Sequence, residues 1–308
     1  MSVPETRVLP FDEGGLGEAA ALILSGQPVA VPTETVYGLA ADATDGAAVA
    51  RIYAAKGRPS FNPLIVHVPD FAAAERIGVF GGAARALAEA HWPGPLTLVV
   101  PLRAGAPVAS LVTAGLATVA LRVPAHPAMQ ALLRATGRPL AAPSANASGR
   151  ISPTIAEHVL SSLGGRIPLV IDGGPTERGL ESTIIAASGV PLRLLRPGPI
   201  QVAEAVVAPA GSVEAPGMLA SHYAPTKPLR LNALKAESDE WLIGFGSVAG
   251  QANLSPSGDL SEAAANLFAL LHQADVQPLG RIAVAPIPDA GIGRAINDRL
   301  VRAAAPGE

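Results

Sequence analysis

The 308-residue chain is 49% apolar and only 15% charged, with a formal net charge of −3, so it can bury a sizeable core but exerts no general pull on nucleic acid. It contains no cysteine, which excludes disulfides, thiolate zinc sites and cysteine nucleophiles and fits a reducing compartment. No apolar run reaches the ~18 residues of a membrane span, and no basic stretch or apolar core of a signal peptide opens the chain, so a cytoplasmic protein is expected.

In chain order, Leu16 to Ser25 has helical apolar spacing, with Gly26 as its stop. Pro28 to Val31 reads as a strand. It breaks into a polar turn, Pro32-Thr33-Glu34-Thr35, followed by Tyr37-Gly38. Asp45 can cap a helix through Ala55 that ends at Gly57. Strands are expected at Leu64–Val68, Leu96–Pro101, Ala117–Val123 and Pro139–Ala142, with helices at Gly82–His91 and Pro127–Ala135. Pro153 to Leu163 reads as a helix with Pro153 first and Ser152 as its cap. Leu169–Ile171, Ser182–Ala186 and Leu192–Leu195 complete the strands. Interleaved strands and helices argue an α/β sheet with helices against it.

Pro197-Gly198-Pro199 punctuates the end of that unit. The stretch from about Pro209 to Pro228 is rich in Pro, Gly, Ala and Ser and reads as a linker. A small β-α-β-α unit follows: a strand at Trp241–Phe245, a helix at Leu260–Gln273, a strand at Ile282–Ala285 and a final helix at Ile292–Ala304. Its one polar cluster is Asn297-Asp298-Arg299. The charge divides along the same line. Through Ile200 there are 15 Lys+Arg against 14 Asp+Glu, and beyond it 7 against 11. Fourteen of those 15 cations are Arg, suited to bidentate contact with phosphate or carboxylate, although a GC-rich genome would give the same bias.

Four polar clusters could carry chemistry. Lys56 and Arg58 share a turn after a helix, where two cations can face a polyphosphate or simply form a solvated loop. Pro143-Ser144-Ala145-Asn146-Ala147-Ser148-Gly149 follows a strand, where open α/β sheets bind ligands, or where a capped turn would sit. Asp172-Gly173-Gly174-Pro175 leads to Gly179-Leu180-Glu181-Ser182-Thr183, a connection whose glycines allow close backbone approach. Arg122 interrupts the apolar strand TVALRVP. Buried there it needs an internal carboxylate or a ligand carboxylate, and Arg196 after LRLL poses the same question. The six histidines are scattered and make no metal motif. P-loop, G-x-G-x-x-G and G-x-S-x-G patterns are absent.

Six motifs occur in order: PTETVYGL (Pro32–Leu39), KGRP (Lys56–Pro59), NPLIVHV (Asn62–Val68), PGPLT (Pro93–Thr97), PSANASG (Pro143–Gly149) and DGGP…GLEST (Asp172–Thr183). With SHYAP (Ser221–Pro225) and INDRL (Ile296–Leu300) in the tail, the chain resembles the long-form YrdC-like threonylcarbamoyl-AMP synthases. The resemblance implies a YrdC-like twisted sheet with flanking helices over residues 1–200, a linker over 201–228, and a small Rossmann-like α/β domain over 229–308. It implies synthesis of threonylcarbamoyl-AMP from L-threonine, bicarbonate or CO2 and ATP, with pyrophosphate released. That is the first step of tRNA threonylcarbamoyladenosine modification, completed by downstream transfer proteins.

The same resemblance implies a division of residues. Lys56 and Arg58 would be catalytic. ATP would be held by Lys56, Arg58, Asn62, Thr118, Ser144, Asn146, Ser152, Arg196 and Tyr223, the last reaching back from the linker. L-Threonine would lie against Thr35, His67, Arg122, Ala142 and Ser182. Mg2+ would arrive with ATP, because no carboxylate cluster awaits it. A carbamoyl-adenylate-forming maturation protein is the alternative enzyme, weakened by the missing cysteines. A double-stranded RNA-binding module is the alternative of another class. The near-neutral charge allows at most weak RNA binding.

Overall fold

The computed structural model describes residues 5–209, 214–218 and 221–306. Its first part runs β1 (Arg7–Pro10), α1 (Glu13–Leu24), β2 (Val29–Pro32), β3 (Tyr37–Asp42), α2 (Gly46–Lys56), β4 (Ile65–His67), α3 (Phe71–Glu75), α4 (Gly82–His91) and β5 (Leu96–Pro101). It continues with α5 (Ser110–Thr113), β6 (Thr118–Arg122), α6 (Pro127–Thr136), β7 (Leu140–Ala141), α7 (Ala156–Leu163), β8 (Leu169–Asp172), β9 (Thr183–Ala186), β10 (Arg193–Arg196) and β11 (Val206–Val207). The strands form one eleven-stranded mixed sheet in the order β1-β8-β2-β3-β7-β4-β6-β5-β9-β10-β11. Ala, Val, Leu and Ile cores pack against it. This is the α/β sheet with flanking helices that the motif spacing implies.

The last part runs β12 (Leu229–Arg230), β13 (Glu240–Gly244), β14 (Ala252–Asn253), α8 (Leu260–Asp275), β15 (Arg281–Val284) and α9 (Gly293–Ala304). Its four strands pair in parallel in the order β12-β15-β13-β14. This C-terminal unit does not close its core alone. Val36, Ile151 and Leu180 from the first part, and Tyr223 between the two, are buried in the same apolar cluster as Phe268 and Leu271. Among the described residues no helix is long and apolar enough to cross a membrane.

Local chemistry explains the elements that position the cavity. Asp45 caps α2 by accepting from Ala47 N at 2.8 Å, and Gly57 ends it in the left-handed region. The helix thus stops two residues before Arg58. The Thr33–Val36 turn is held by the Thr33 hydroxyl, which donates to Val36 O at 2.7 Å. It returns the chain as β3, antiparallel to β2 and wholly buried.

Two departures from the sequence reading matter. Tyr37–Asp42 is a strand that no alternation announces, because both its faces are covered. And Ser152 does not cap a helix: α7 begins at Ala156. Pro153 O accepts from Tyr37 N and Thr154 O from Thr176 N, both at 2.9 Å. Pairing with neighbouring segments keeps residues 152–155 extended, and it overrides the local Ser-Pro helix-start signal.

Candidate active site

Several strand ends meet at one cleft of about 500 Å3, counting its open mouth. β4 and β6 run parallel in the register that sets His67 beside Arg122. β7 lies antiparallel to β4 and leads out through Ala142, Pro143 and Ser144. Thr33, Thr35 and Val36 of the β2–β3 turn close one side, and Glu181, Ser182 and Arg196 another. Pro216, Gly217, His222 and Tyr223 cover it. Gly217 is required there: its φ is +82, and a Cβ would lie 2.7 Å from the Tyr223 hydroxyl oxygen.

One wall is built around Arg122, which is 3% exposed. Its Nη1 donates to Thr35 Oγ1 at 3.0 Å and its Nε to Gly94 O at 3.2 Å. Its Nη2 lies 2.7 Å from Glu34 Oε1. That ion pair is close but poorly aligned, and neither Nη2 nor either Glu34 oxygen makes a hydrogen bond. Burial pushes the Glu34 carboxyl up, but Arg122 outweighs it and holds the group below its ordinary range. His67 is buried with Nδ1 unpartnered. Burial, reinforced by the Arg122 charge, pushes it down to about 3. It is therefore a neutral imidazole at pH 7.

The opposite wall is built around Arg196. Its Nε donates to Ser182 O at 3.0 Å and its Nη2 to Ser182 Oγ at 3.1 Å. Ser182 Oγ is also 2.7 Å from Thr97 Oγ1. Glu181 accepts from Ser152 Oγ on one oxygen and from Arg299 Nε at 2.9 Å on the other. Tyr223 stacks between His222 and Phe268, and its hydroxyl, with Arg196 beside it, makes no well-aligned hydrogen bond.

Two cations complete this side. Arg58 donates from Nη2 to Asn62 Oδ1 at 2.6 Å and to Pro63 O at 2.9 Å. Burial brings it down to about 10, so it stays charged at pH 7. Lys56, buried behind the Ser144 loop, donates to Ser144 O and Asn146 O. Burial, then the Arg58 charge, lowers its pKa well below the ordinary value.

Of the residues singled out from sequence, Arg58, Ser144, Arg196, Tyr223, Thr35, His67, Arg122, Ala142 and Ser182 line this cleft. Lys56, Asn62 and Ser152 stand behind it, each bonded to a wall, and Asn146 lies in the loop behind Ser144, its amide donating to Ala147 O and Arg150 O. Thr118 lies outside. Strand alternation puts it on the same face of β6 as Arg122, and Ala120 between them packs in a cluster with Ala215 and Met218. Sequence reasoning left Arg122 a choice of internal or ligand carboxylate. The internal one is Glu34, two residues into a quoted motif. Glu181, His222, Gly217 and the buried Arg299 were not singled out. The signal for Arg299 was its place in Asn297-Asp298-Arg299, the one polar cluster of an otherwise apolar unit. Among the described residues no group of three or more His, Cys, Asp or Glu could hold a metal ion.

Comparison with known proteins agrees along nearly the whole chain. Residues 21–198 match the family model described as "Telomere recombination" (Sua5_yciO_yrdC), and residues 192–305 match "Threonylcarbamoyl-AMP synthase, C-terminal domain". The chain is 41% identical to threonylcarbamoyl-AMP synthase of Bacillus subtilis, over 98% of this chain and 96% of the relative. It is 39% identical to that of Pyrococcus abyssi, over 95% of each. The crystal structure of P. abyssi Sua5 complexed with L-threonine has a TM-score of 0.88 to it at 36% identity, covering 98% of both chains.

Proposed function

The chain belongs to the threonylcarbamoyl-AMP synthase family, and we propose how its own residues carry out the synthesis. It is a nucleotidyltransferase that makes threonylcarbamoyl-AMP for tRNA threonylcarbamoyladenosine modification. Its substrates in this reading are ATP, L-threonine and bicarbonate or CO2. The threonine amine adds to the carbon of CO2 and loses a proton, giving a carbamate. A carbamate oxygen then attacks the α-phosphorus of ATP, the bond to the bridging oxygen breaks, and pyrophosphate leaves. The nucleophile belongs to the substrate, so the protein's work is placement and charge neutralisation.

One observation carries this reading. His67 Nδ1 is buried without a hydrogen-bond partner, and Arg122 Nη2 and the Tyr223 hydroxyl are buried with only the poorly aligned contacts of Glu34 and Arg196; all three belong to walls of the same cleft. Buried polar atoms are rarely left so unless a ligand completes them. Arg122, already fixed by Thr35, Gly94 and Glu34, keeps a donor for the threonine carboxylate. Neutral His67 can accept from the amine, with Thr35, Ser182 and the Ala142 backbone around it.

ATP then lies along the Arg196 side. Arg58, Ser144, Arg196 and Tyr223 face it. Lys56, Asn62, Asn146 and Ser152 fix those groups from behind, and Lys56 and Arg58 offset charge at the α-phosphate. Thr118, outside the cleft on the same face of β6 as Arg122, is assigned to ATP by the family pattern alone. The carboxylates of the cleft do not suit a resident metal: Glu181 spends both oxygens on Ser152 and Arg299, and Glu34 faces Arg122. Mg2+ therefore travels on the ATP phosphates. The product goes to tRNA threonylcarbamoyl-transfer proteins in the cytoplasm.

Pyrophosphate release from ATP, with threonine and bicarbonate each omitted in turn, tests this. Release that depends on both supports the assignment. Release that is indifferent to threonine overturns it.

A further inference from the structure

We propose that Arg299 is a positioning residue for the nucleotide side of the cleft: from the C-terminal unit it holds Glu181 and Tyr223 in place, making that unit part of the active site. The inference rests on the assignment of Ser152, Arg196 and Tyr223 to ATP.

Arg299 lies on α9, just past its middle, and has no exposed surface. Its Nε donates to Glu181 Oε2 at 2.9 Å, and its Nη1 to Pro197 O at 2.9 Å and Asp298 Oδ2 at 2.8 Å. Its guanidinium carbon stands 5.3 Å from the centroid of the Tyr223 ring. A planar fork can serve these directions at once, and a lysine ammonium cannot.

The receiving segment is a relay four residues long. Gly179 has a φ of +65, and a Cβ there would come within 2.3 Å of the Ala265 carbonyl oxygen on α8. Backbone therefore meets backbone at the seam, as only glycine permits. Leu180 is buried in the core of the C-terminal unit. Glu181 takes the Arg299 guanidinium, and its other oxygen takes the Ser152 hydroxyl. Ser182 meets Arg196 and Thr97 inside the cleft. A displacement of α9 is thereby passed through Glu181 to Ser152 and through Ser182 to Arg196, the two groups here that are assigned to the nucleotide.

Charge makes the same point. Glu181 is buried and lines the cleft. With Arg299 in place its carboxylate is neutralised and both oxygens are used. Without Arg299 it is an uncompensated buried anion facing the path of a triphosphate, and Arg196 is the nearest cation left to answer it. Either response weakens phosphate binding. Among the described residues the Arg122 wall touches that unit only through Val36: its polar partners Glu34, Thr35 and Gly94 all come from the first part of the chain. Ser182, placed beside threonine, and Val36, packed in the C-terminal core, are the shared groups, so the effect should fall more heavily on ATP than on threonine.

The experiment measures KM for ATP and for threonine, together with ATP binding by calorimetry in the absence of threonine. It uses Arg299→Met, Arg299→Lys and the double variant Glu181→Gln/Arg299→Met in the full chain. Arg299→Met is expected to raise KM for ATP about tenfold while KM for threonine moves less than about twofold. Arg299→Lys should fall between it and the wild type. The double variant, which leaves no unpaired charge, should recover most of the ATP affinity.

An unchanged KM for ATP in Arg299→Met overturns the proposal. So does an equal rise in both KM values with no recovery in the double variant, which would make Arg299 a docking contact only. If Arg299→Met does not fold, Arg299→Lys decides: a several-fold rise in KM for ATP alone supports the proposal, and unaltered values refute it. ATP binding is read without turnover. Wild-type enzyme that binds ATP but releases no pyrophosphate with threonine would therefore refute the reaction while leaving Arg299 to be judged on affinity.

Discussion

Two buried carboxylate–guanidinium pairs stand in opposite walls of the cleft, Glu34–Arg122 at 2.7 Å and Glu181–Arg299 at 2.9 Å. They are alike in chemistry and opposite in use. Glu181 is saturated, with a hydroxyl on one oxygen and a guanidinium on the other. Glu34 makes no hydrogen bond with either oxygen, and Arg122 keeps Nη2 unpartnered. The Glu181–Arg299 pair closes a seam between parts of the chain 118 residues apart. The Glu34–Arg122 pair lies within the first part of the chain and holds a cation in place. A buried pair adds little net stability, because desolvation offsets attraction, but losing one partner is costly. Arg299 too has a terminal nitrogen without a hydrogen bond, so what separates the pairs is the carboxylate and the place: the pair with the unsaturated carboxylate is the one whose arginine lines the cleft.

The sharpest way to break that contrast is Arg122→Ala. Removing one partner of a buried pair costs about 3–5 kcal/mol, and the lost carboxylate clamp adds to it. Threonine-dependent pyrophosphate release should fall about a thousandfold in kcat/KM, with ATP binding by calorimetry changed less than about threefold. An equal loss of ATP binding would show that the walls are not independent. The folded protein should also melt lower, and Glu34→Gln on the same background should restore part of that loss.

The sequence shows one member of each pair more readily than the other. Arg122 is legible because a charge inside TVALRVP contradicts its surroundings. Glu34 sits in a turn of Thr, Glu and Thr, where a carboxylate needs no explanation, and only the antiparallel return of β3 brings it under Arg122. Arg299 ends a polar triplet on a helix whose remaining pattern is amphipathic. Its partner lies 118 residues earlier, a separation that no local pattern reports. The fold follows the same rule. Elements with caps and breakers, such as the helix between Asp45 and Gly57, read correctly from local chemistry. Tyr37–Asp42 does not, because a strand buried on both faces has no alternation to show. The site was legible where a residue type is costly in its surroundings, and hidden where only tertiary pairing creates the cost.

Lys56 supplies a third arrangement, a buried cation without a carboxylate. Its ammonium is held by the carbonyls of Ser144 and Asn146. It should therefore organise the loop and not merely cancel charge. Lys56→Met is expected to lower kcat/KM for ATP by about ten- to a hundredfold, with a much smaller effect on KM for threonine. If Lys56→Arg restores full activity, charge alone suffices and the carbonyl clamp is incidental.

A half-exposed pair gives the weaker limit. Arg193 on β10 donates from both terminal nitrogens to Glu214, each at 2.7 Å, and so ties residues 214–218 to the sheet. The hydrogen bond from Arg193 holds the Glu214 carboxyl below its ordinary range. Solvent reaches both side chains, and pairs of this kind contribute about 0–1 kcal/mol. Glu214→Gln should change KM for ATP by about twofold. A tenfold change would mean that this strap, and not the buried pair at Glu181, governs the nucleotide side.

The smallest expected effect tests the seam without touching either pair. His158 on α7 and His272 on α8 stack across it with centroids 3.8 Å apart and planes 17° from parallel. Burial lowers both pKa values, and the neighbouring His272 charge lowers His158 further, to about 3. His272 Nε2 also lies 3.2 Å from Ser152 O, and Asp275 beside it partly opposes the shift. Both imidazoles are thus neutral in the folded protein, while in the unfolded chain each binds a proton near pH 6.5. The unfolded state holds more protons below that pH, so this contribution is complete above about pH 6.5 and is lost as pH falls toward 3. His67 and His222, also depressed by burial, add the same sign of slope. His272→Phe keeps the stacked area and removes one titration. Urea unfolding between pH 6.5 and 5 should therefore lose stability more shallowly than wild type, by about one proton in the linkage slope at most. His158 carries the larger depression, so replacing it should flatten the slope at least as much. An unchanged slope in His272→Phe would mean that the seam opens before the chain unfolds, leaving the stack to titrate as if in water.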